Sequence, residues 1–288
     1  MMSFPRVLAA RFLRRLGLGR LGHGRAPARG FTTNLNEIKF VDSLGDADLA
    51  ELNAILDWKS FVADRHGRRF GNVAWAGKRN EPQVIPDPRI VLLNEQLDLS
   101  NKHALEIGCF EGNHTLGLTR FAKRVTAVDG RIANVVKTIV RCAMFGEHPT
   151  VFKCDLEARP LDVAALRADV VHHVGVLYHL EDPVRHLRDL GEITGLAVML
   201  DTHYALEEEA TAVYNVDGQE YRYKRYEELG LADPFSGMHE HSKWLRLDDI
   251  LGLLAEAGLS DVRVLQKRVE RNGPRMLVIA ARPDARPG

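Results

Sequence analysis

Leu105-Glu106-Ile107-Gly108-Cys109-Phe110-Glu111-Gly112-Asn113-His114 runs out of an apolar strand and into the start of a helix. A backbone that turns this sharply and still leaves room for a ligand needs positions without a Cβ, and Gly108 and Gly112 supply them. A plain strand-turn-helix would use the same two glycines, so the stretch takes its meaning from what surrounds it.

From His103 onward, short apolar runs alternate with amphipathic segments, which is the pattern of βαβ units on a mostly parallel sheet. Strands are predicted at 103–109, 124–129, 150–155, 169–176 and 195–201, with helices beginning near Asn113, Arg131, Leu161 and Pro183. After Asp201 the alternation stops, and 202–243 reads as an insertion over the active-site face. A helix at 247–257 then leads to a strand at 261–269. Asn272-Gly273, a tight-turn pair, separates that strand from another at 275–282, so the two form an antiparallel hairpin. The fold class is therefore α/β, a Rossmann-like sheet that is mostly parallel and closes on an antiparallel C-terminal hairpin strand.

Upstream, residues 34–99 read as an N-terminal cap, with a helix at 46–61 followed by a polar stretch broken by Pro82, Pro86 and Pro88. In residues 1–33, seven arginines from Arg6 to Arg29 precede the first acid, Glu37, and alternate with apolar residues. That composition suits a basic extension, an organellar targeting segment or a membrane-surface helix. The expected location is cytoplasmic, or organellar if the segment is a targeting peptide. No run reaches the roughly 18 to 20 apolar residues of a membrane span.

At 288 residues and 45% hydrophobic, the chain can bury one substantial core. Its 39 basic and 39 acidic residues balance, so no global positive field argues for nucleic acid, although a local patch is not excluded. Cys109, Cys142 and Cys154 lack CxxC spacing, which argues for reduced thiols and against a zinc knuckle or a disulfide framework.

Asp129 ends the strand after the glycine bend, seventeen residues beyond Gly112, where a carboxylate accepts hydrogen bonds from ribose hydroxyls. Asp155 and Leu156 end the third strand, where a side chain meets an adenine amino group and apolar neighbours flank the ring. Parallel strands bring these tips to one sheet edge. Solvated strand-end acids remain the alternative for both.

Glu106-Ile-Gly-Cys-Phe-Glu-Gly112 resembles motif I of class I S-adenosylmethionine-dependent methyltransferases, with Phe110 in place of the usual middle glycine. Gly175-Val-Leu-Tyr-His179, followed by Pro183, resembles the fourth-strand motif of the tRNA uridine-5-oxyacetate synthases, which are carboxymethyltransferases, and of methyltransferases related to them. The resemblance runs from Leu105 to the C-terminus and makes 100–288 a methyltransferase domain with 202–243 inserted. It implies S-adenosylmethionine, or its carboxylated form, as donor. Glu106 then faces the donor's ammonium, Gly108 its carboxypropyl and ribose portion, and Val174 is a further contact. Gly112 lets the helix pack closely, Asp129 holds the ribose, and Asp155 and Leu156 hold the adenine. The resemblance also implies that Tyr178 and Arg275 hold the extra carboxylate, with Lys59 and Trp75 matching an upstream lysine and tryptophan of that family.

His179 lies beside the point of transfer and suits deprotonation of an acceptor near neutral pH. A helix-cap role for His179, a surface Arg275 and a Tyr178 packed under the insertion stay open. His172 and His173 point to opposite strand faces, and His239-Glu240-His241 lacks helical ligand spacing, so no metal is expected. Methyl transfer to a small molecule or a macromolecule is the first function these features favour. Carboxymethyl transfer to a tRNA wobble uridine is the second. A nicotinamide dehydrogenase is disfavoured by Phe110 and the antiparallel finish, and a non-catalytic nucleoside-binding or assembly factor remains open. The acceptor, small molecule or tRNA, and the oligomeric state are not encoded in any legible motif.

Overall fold

In the computed structural model, residues 39–73 and 81–283 are described. The basic extension of 1–33 and Trp75 lie outside them. The cap opens with α1 (Phe40–Ser43) and α2 (Asp46–Ile55), followed by a hairpin of β1 (Phe61–Ala63) and β2 (Arg69–Gly71). Val41, Leu49, Trp58, Val62 and Phe70 form its core. The helix predicted over 46–61 stops at Ile55, because the next residues have a different task. Glu111, fully buried in the glycine bend, accepts from Lys59 N at 2.7 Å, Ser60 N at 2.8 Å and Ser60 Oγ at 2.7 Å. Backbone N–H groups inside a helix are already committed to its own carbonyls, so these residues must leave the helix to reach that acid.

A helix not anticipated in the cap, α3 (Pro88–Leu97), begins where Asp87 accepts from Arg89 N at 2.9 Å and Pro88 takes the first turn. Its Ile90, Leu93 and Leu97 pack with Ala104, Val170 and Met199, so it belongs to the core of the sheet.

The sheet strands are β3 (His103–Ile107), β4 (Arg124–Asp129), β5 (Thr150–Lys153), β6 (Ala168–Val174) and β7 (Thr194–His203). Helices α4 (Asn113–Thr119), α5 (Ile132–Met144), the single turn α6 (Val163–Leu166) and α7 (Pro183–Ile193) connect them. After the insertion come α8 (Leu247–Glu256), β11 (Asp261–Glu270) and β12 (Gly273–Ala281). The order across the sheet is β11-β12-β7-β6-β3-β4-β5; β3 through β7 run parallel, and β12 lies antiparallel between β7 and β11. The hairpin turn sits one residue earlier than predicted. Glu270 pairs with Gly273, so Arg271 and Asn272 form the loop, and Gly273 opens the strand at φ +144°. Alternate residues of β12 serve opposite faces: Met276, Val278 and Ala280 join one core, Leu277 and Ile279 the other. A strand covered on both sides reads as an unbroken apolar run.

The insertion contains its own antiparallel sheet of β8 (Ala212–Val216), β9 (Gln219–Glu227) and β10 (His241–Leu245) in the order β10-β9-β8. Asp217 and Gly218, both at positive φ, make the turn between β8 and β9. Among the described residues, no helix is long and apolar enough to cross a membrane.

Glu111 also faces Lys137 Nζ at 3.0 Å and Arg141 Nη2 at 3.7 Å, with all three side chains almost fully buried. Burial pushes Arg141 down to about 10. Glu111→Ala leaves two buried cations and two backbone donors without their acceptor. A loss of about 3–5 kcal/mol in guanidinium unfolding is expected, with the cap becoming the preferred site of proteolysis.

Candidate functional site

The chain order turns back between β3 and β6, and there the strands' carboxyl ends open into a cavity of about 440 Å³. Ligands of doubly wound sheets bind at this switch point. Gly108 sits at φ +75°, and a Cβ on it would come within 2.3 Å of Val176 Cγ2. Phe110 adopts φ +49°, so the loop keeps a left-handed shape where a glycine is usual, at a cost of about 1–3 kcal/mol. Part of that strain is met by a hydrogen bond from Phe110 N to Asp129 Oδ2 at 3.0 Å. Gly112, also left-handed, does not line the cavity; its Cα faces Thr138 of α5, where a Cβ would meet backbone at 3.0 Å.

Asp129 ends β4 on the cavity wall. Its Oδ1 accepts from Arg131 N at 2.9 Å and Asn134 Nδ2 at 3.0 Å. Burial raises its carboxyl, and the bonds from Arg131, Phe110 and Asn134 oppose that. Asp155 and Leu156 line the same cavity from the end of β5, as does Val174 from the end of β6. Glu106, Gly108, Tyr178, His179 and Arg275 complete the set of predicted residues that the fold gathers there.

Glu106 is buried, bonded by Thr115 Oγ1, and raised to about 8, first by burial and then by the nearby charge of Asp129. Beside it, His114 and His172 stack edge to face at 5.1 Å, and neither ring nitrogen of His172 has a protein partner. Donor atoms of Glu106, His114 and His172 lie within 4.8 Å of one another, a grouping that pairing histidines along the sequence did not find. Arg89 Nη2, 3.3 Å from His114 Nε2, places a fixed positive charge against that group, which disfavours a metal ion. A singly charged ammonium meets less repulsion there than a metal ion, provided that Glu106 gives up its proton.

Tyr178 and Arg275 meet on the wall, with Arg275 Nη1 3.4 Å from the phenol oxygen. Burial raises the Tyr178 phenol and the Arg275 charge opposes it. The Arg275 guanidinium is already engaged, donating from Nε to buried Asp201, which also takes Arg89 at 3.0 Å and Arg268 at 2.9 Å. Burial pushes the Asp201 carboxyl up, but the three guanidiniums outweigh it and hold the group below the usual carboxylate range. Lys59 is not on the cavity wall; it pairs with Asp57 at 2.8 Å.

Residues 234–238 of the insertion cover the opening. The Phe235 and Phe110 rings are 5.6 Å apart, and Met238 lies against Gly130. Arg131 holds this segment, with its guanidinium within 3.1 Å of the carbonyls of Gly230, Leu231, Asp233, Ser236 and Gly237. Two hydrogens on Nη2 are shared among four of them. Behind the cover, His179 Nδ1 lies 2.9 Å from both carboxylate oxygens of Glu228. Arg131, Asp201, Arg268, Glu228 and Phe235 were not anticipated. Arg131 alone had a sequence signal, its place two residues after the strand-end acid.

A family model described as a methyltransferase domain matches residues 79–264. A tRNA U34 carboxymethyltransferase of Shewanella loihica is 28% identical over 213 residues, 69% of this chain and 59% of that protein. The N-terminal domain of EvdMO1, solved in the presence of SAH and D-fucose, superposes with a TM-score of 0.67 at 23% identity, covering 83% of this chain and 98% of that one. YcgJ of Bacillus subtilis superposes with a TM-score of 0.50 at 13% identity, over 69% of this chain and 97% of that one. At these identities the structural likenesses establish the fold.

The Glu106 carboxyl yields a measurable linkage. Because its folded pKa is about 8, it is mostly protonated at pH 7 and must lose that proton to face a cation. Binding of an ammonium-bearing ligand at pH 7 is expected to release close to one proton and to tighten as pH rises through 8. Calorimetry in buffers of different ionisation enthalpy reads the release, and Glu106→Gln should abolish it.

Proposed function

The chain belongs to the family of methyltransferase domains, an S-adenosylmethionine-dependent class of enzyme, and we propose that the cavity takes this donor with its ribose on Asp129 and its methionyl end at Glu106. The observation that carries the placement is the single hydrogen bond from Phe110 N to Asp129 Oδ2, which puts the glycine bend and the ribose acid on one wall. The residues present fit the donor. Gly108 leaves space that a side chain would fill, and Glu106 lines the cavity beside His114 at the ammonium end.

When bound, the donor supplies an electrophilic methyl group on a sulfonium. The chain's own contribution is alignment and exclusion of water. Asp129, with two oxygens and room for further acceptance, fixes the ribose. Leu156 and Asp155 flank the adenine position. Phe110 and Phe235 close over the nucleoside, and Met238 seals the edge at Gly130. No charged group is needed at the transferred carbon.

A second reading, carboxymethyl transfer, is supported by the meeting of Tyr178 with Arg275, two donors suited to a carboxylate. Against it stands Asp201, whose charge already occupies Arg275. The donor retained by the purified protein distinguishes the two by mass, and plain S-adenosylmethionine is the expected species. The acceptor is a small molecule or a macromolecule such as tRNA in the first reading and a tRNA wobble uridine in the second.

Asp129→Ala removes the charge-assisted bonds to the ribose and should weaken binding of S-adenosylhomocysteine by about a hundredfold or more in calorimetry. Asp129→Asn, which keeps one oxygen acceptor for the loop, controls for collapse of the bend. Unchanged affinity in both variants would overturn the placement.

A further inference from the structure

We propose that His179, held by Glu228 of the insertion, is the general base for an acceptor hydroxyl, and that the acceptor is a neutral, polyhydroxylated small molecule; this rests on the methyl-transfer reading above. Glu228 ends at the foot of β9, and its side chain is 3% exposed. Both of its oxygens lie 2.9 Å from His179 Nδ1, and one also accepts from Gly237 N in the cover. An ionised carboxylate only accepts, so Nδ1 of the neutral ring carries the hydrogen and Nε2 carries the lone pair. His179 lines the donor cavity, and no described residue occupies Nε2. A base oriented by a buried carboxylate adds nothing for a carboxylate acceptor, which is already anionic at neutral pH. An alcohol is the nucleophile that needs it.

The acceptor side of the cavity narrows the class further. Its walls carry Arg89, Arg268 and Arg275 with Asp87 and Glu270, and Asp201 lies buried behind them, paired with all three arginines. Three cations against three anions leave no net charge to draw an ionic acceptor. They do present many donors and acceptors, the pattern that recognises several hydroxyls at once. The step balances simply. As the acceptor oxygen forms its bond to the methyl carbon, the carbon–sulfur bond breaks with its electrons staying on sulfur. The hydroxyl proton moves to His179 Nε2 and from there to solvent, leaving an ether and S-adenosylhomocysteine.

Glu228 acts through His179 and is a positioning residue, and Glu228→Gln tests that role specifically. The Gln oxygen takes the seat facing Gly237 N–H, so the amide NH2 faces Nδ1 and drives the ring to the tautomer protonated on Nε2. Nitrogen-15 NMR of the full chain with S-adenosylhomocysteine bound should show the Nδ1–H tautomer in wild type and the reversed one in the variant. Transfer of trideuteriomethyl from labelled donor to a panel of monosaccharides and polyols, followed by mass spectrometry, gives the rate. We expect an ether product, with kcat falling about 10- to 100-fold in Glu228→Gln and about 10²- to 10⁴-fold in His179→Gln. Affinity for S-adenosylhomocysteine should stay within twofold, which separates this proposal from failure of the donor assignment. An Nε2–H tautomer in wild type, an undiminished kcat in His179→Gln, or no labelled product from any hydroxylated member of the panel while the product nucleoside still binds would overturn it.

Discussion

A carboxylate at the tip of one strand holds the loop that follows its neighbour. Asp129 reaches from β4 to the backbone N–H of Phe110 beyond β3, and also restrains the turn into α5 through Arg131 N and Asn134. Parallel strands alone would place these tips side by side, because neighbouring strands are spaced by about 5 Å. They would not fix the loop's shape. The acid does so, and it stabilises a left-handed Phe110 that would otherwise favour another conformation. Binding surface and local fold therefore share the same atoms.

Two further buried acids organise the rest. Glu111 gathers the cap onto the bend through backbone donors and two cations, so the N-terminal segment is tied to the site. Asp201 gathers three arginines from α3, β11 and β12 around the far wall. In both places a charge removed from water is stabilised only because its partners arrive from distant parts of the chain. The wall near Asp201 is consequently a set of paired charges, while the opposite wall sets Asp129 and Asp155 among glycine, leucine and phenylalanine.

Much of this was legible from periodicity. The alternation after His103 places β3, β4, β5, β6 and β7 correctly to within a few residues, since strands covered on both faces are apolar throughout. Asp129 and Gly108 were recognisable from their places at the ends of consecutive apolar runs, where parallel strand tips line one sheet edge. The cap was less legible. Lys59 and Ser60 leave the helix for a partner fifty residues away, and no local pattern records that. Asp87-Pro88, by contrast, is a capping signal that a run of surrounding prolines concealed. The hairpin turn shifted by one residue because Gly273 was needed to begin β12 beside Trp244, as well as to end the turn. Asp201 and Glu228 looked like ordinary acids; their importance lies in contacts made across the insertion and the sheet.

Arg131 pins the cover of the cavity. One guanidinium is the shared anchor for five carbonyls spread over eight residues of the cover, and it springs from the residue next but one to Asp129. Four of those carbonyls share the two hydrogens of Nη2, so the hold on the segment is concentrated in one side chain. The segment is thus hinged like a shutter on a single pin: truncating that one side chain would free all five carbonyls of the cover together, within two residues of the strand-end acid that holds the bend.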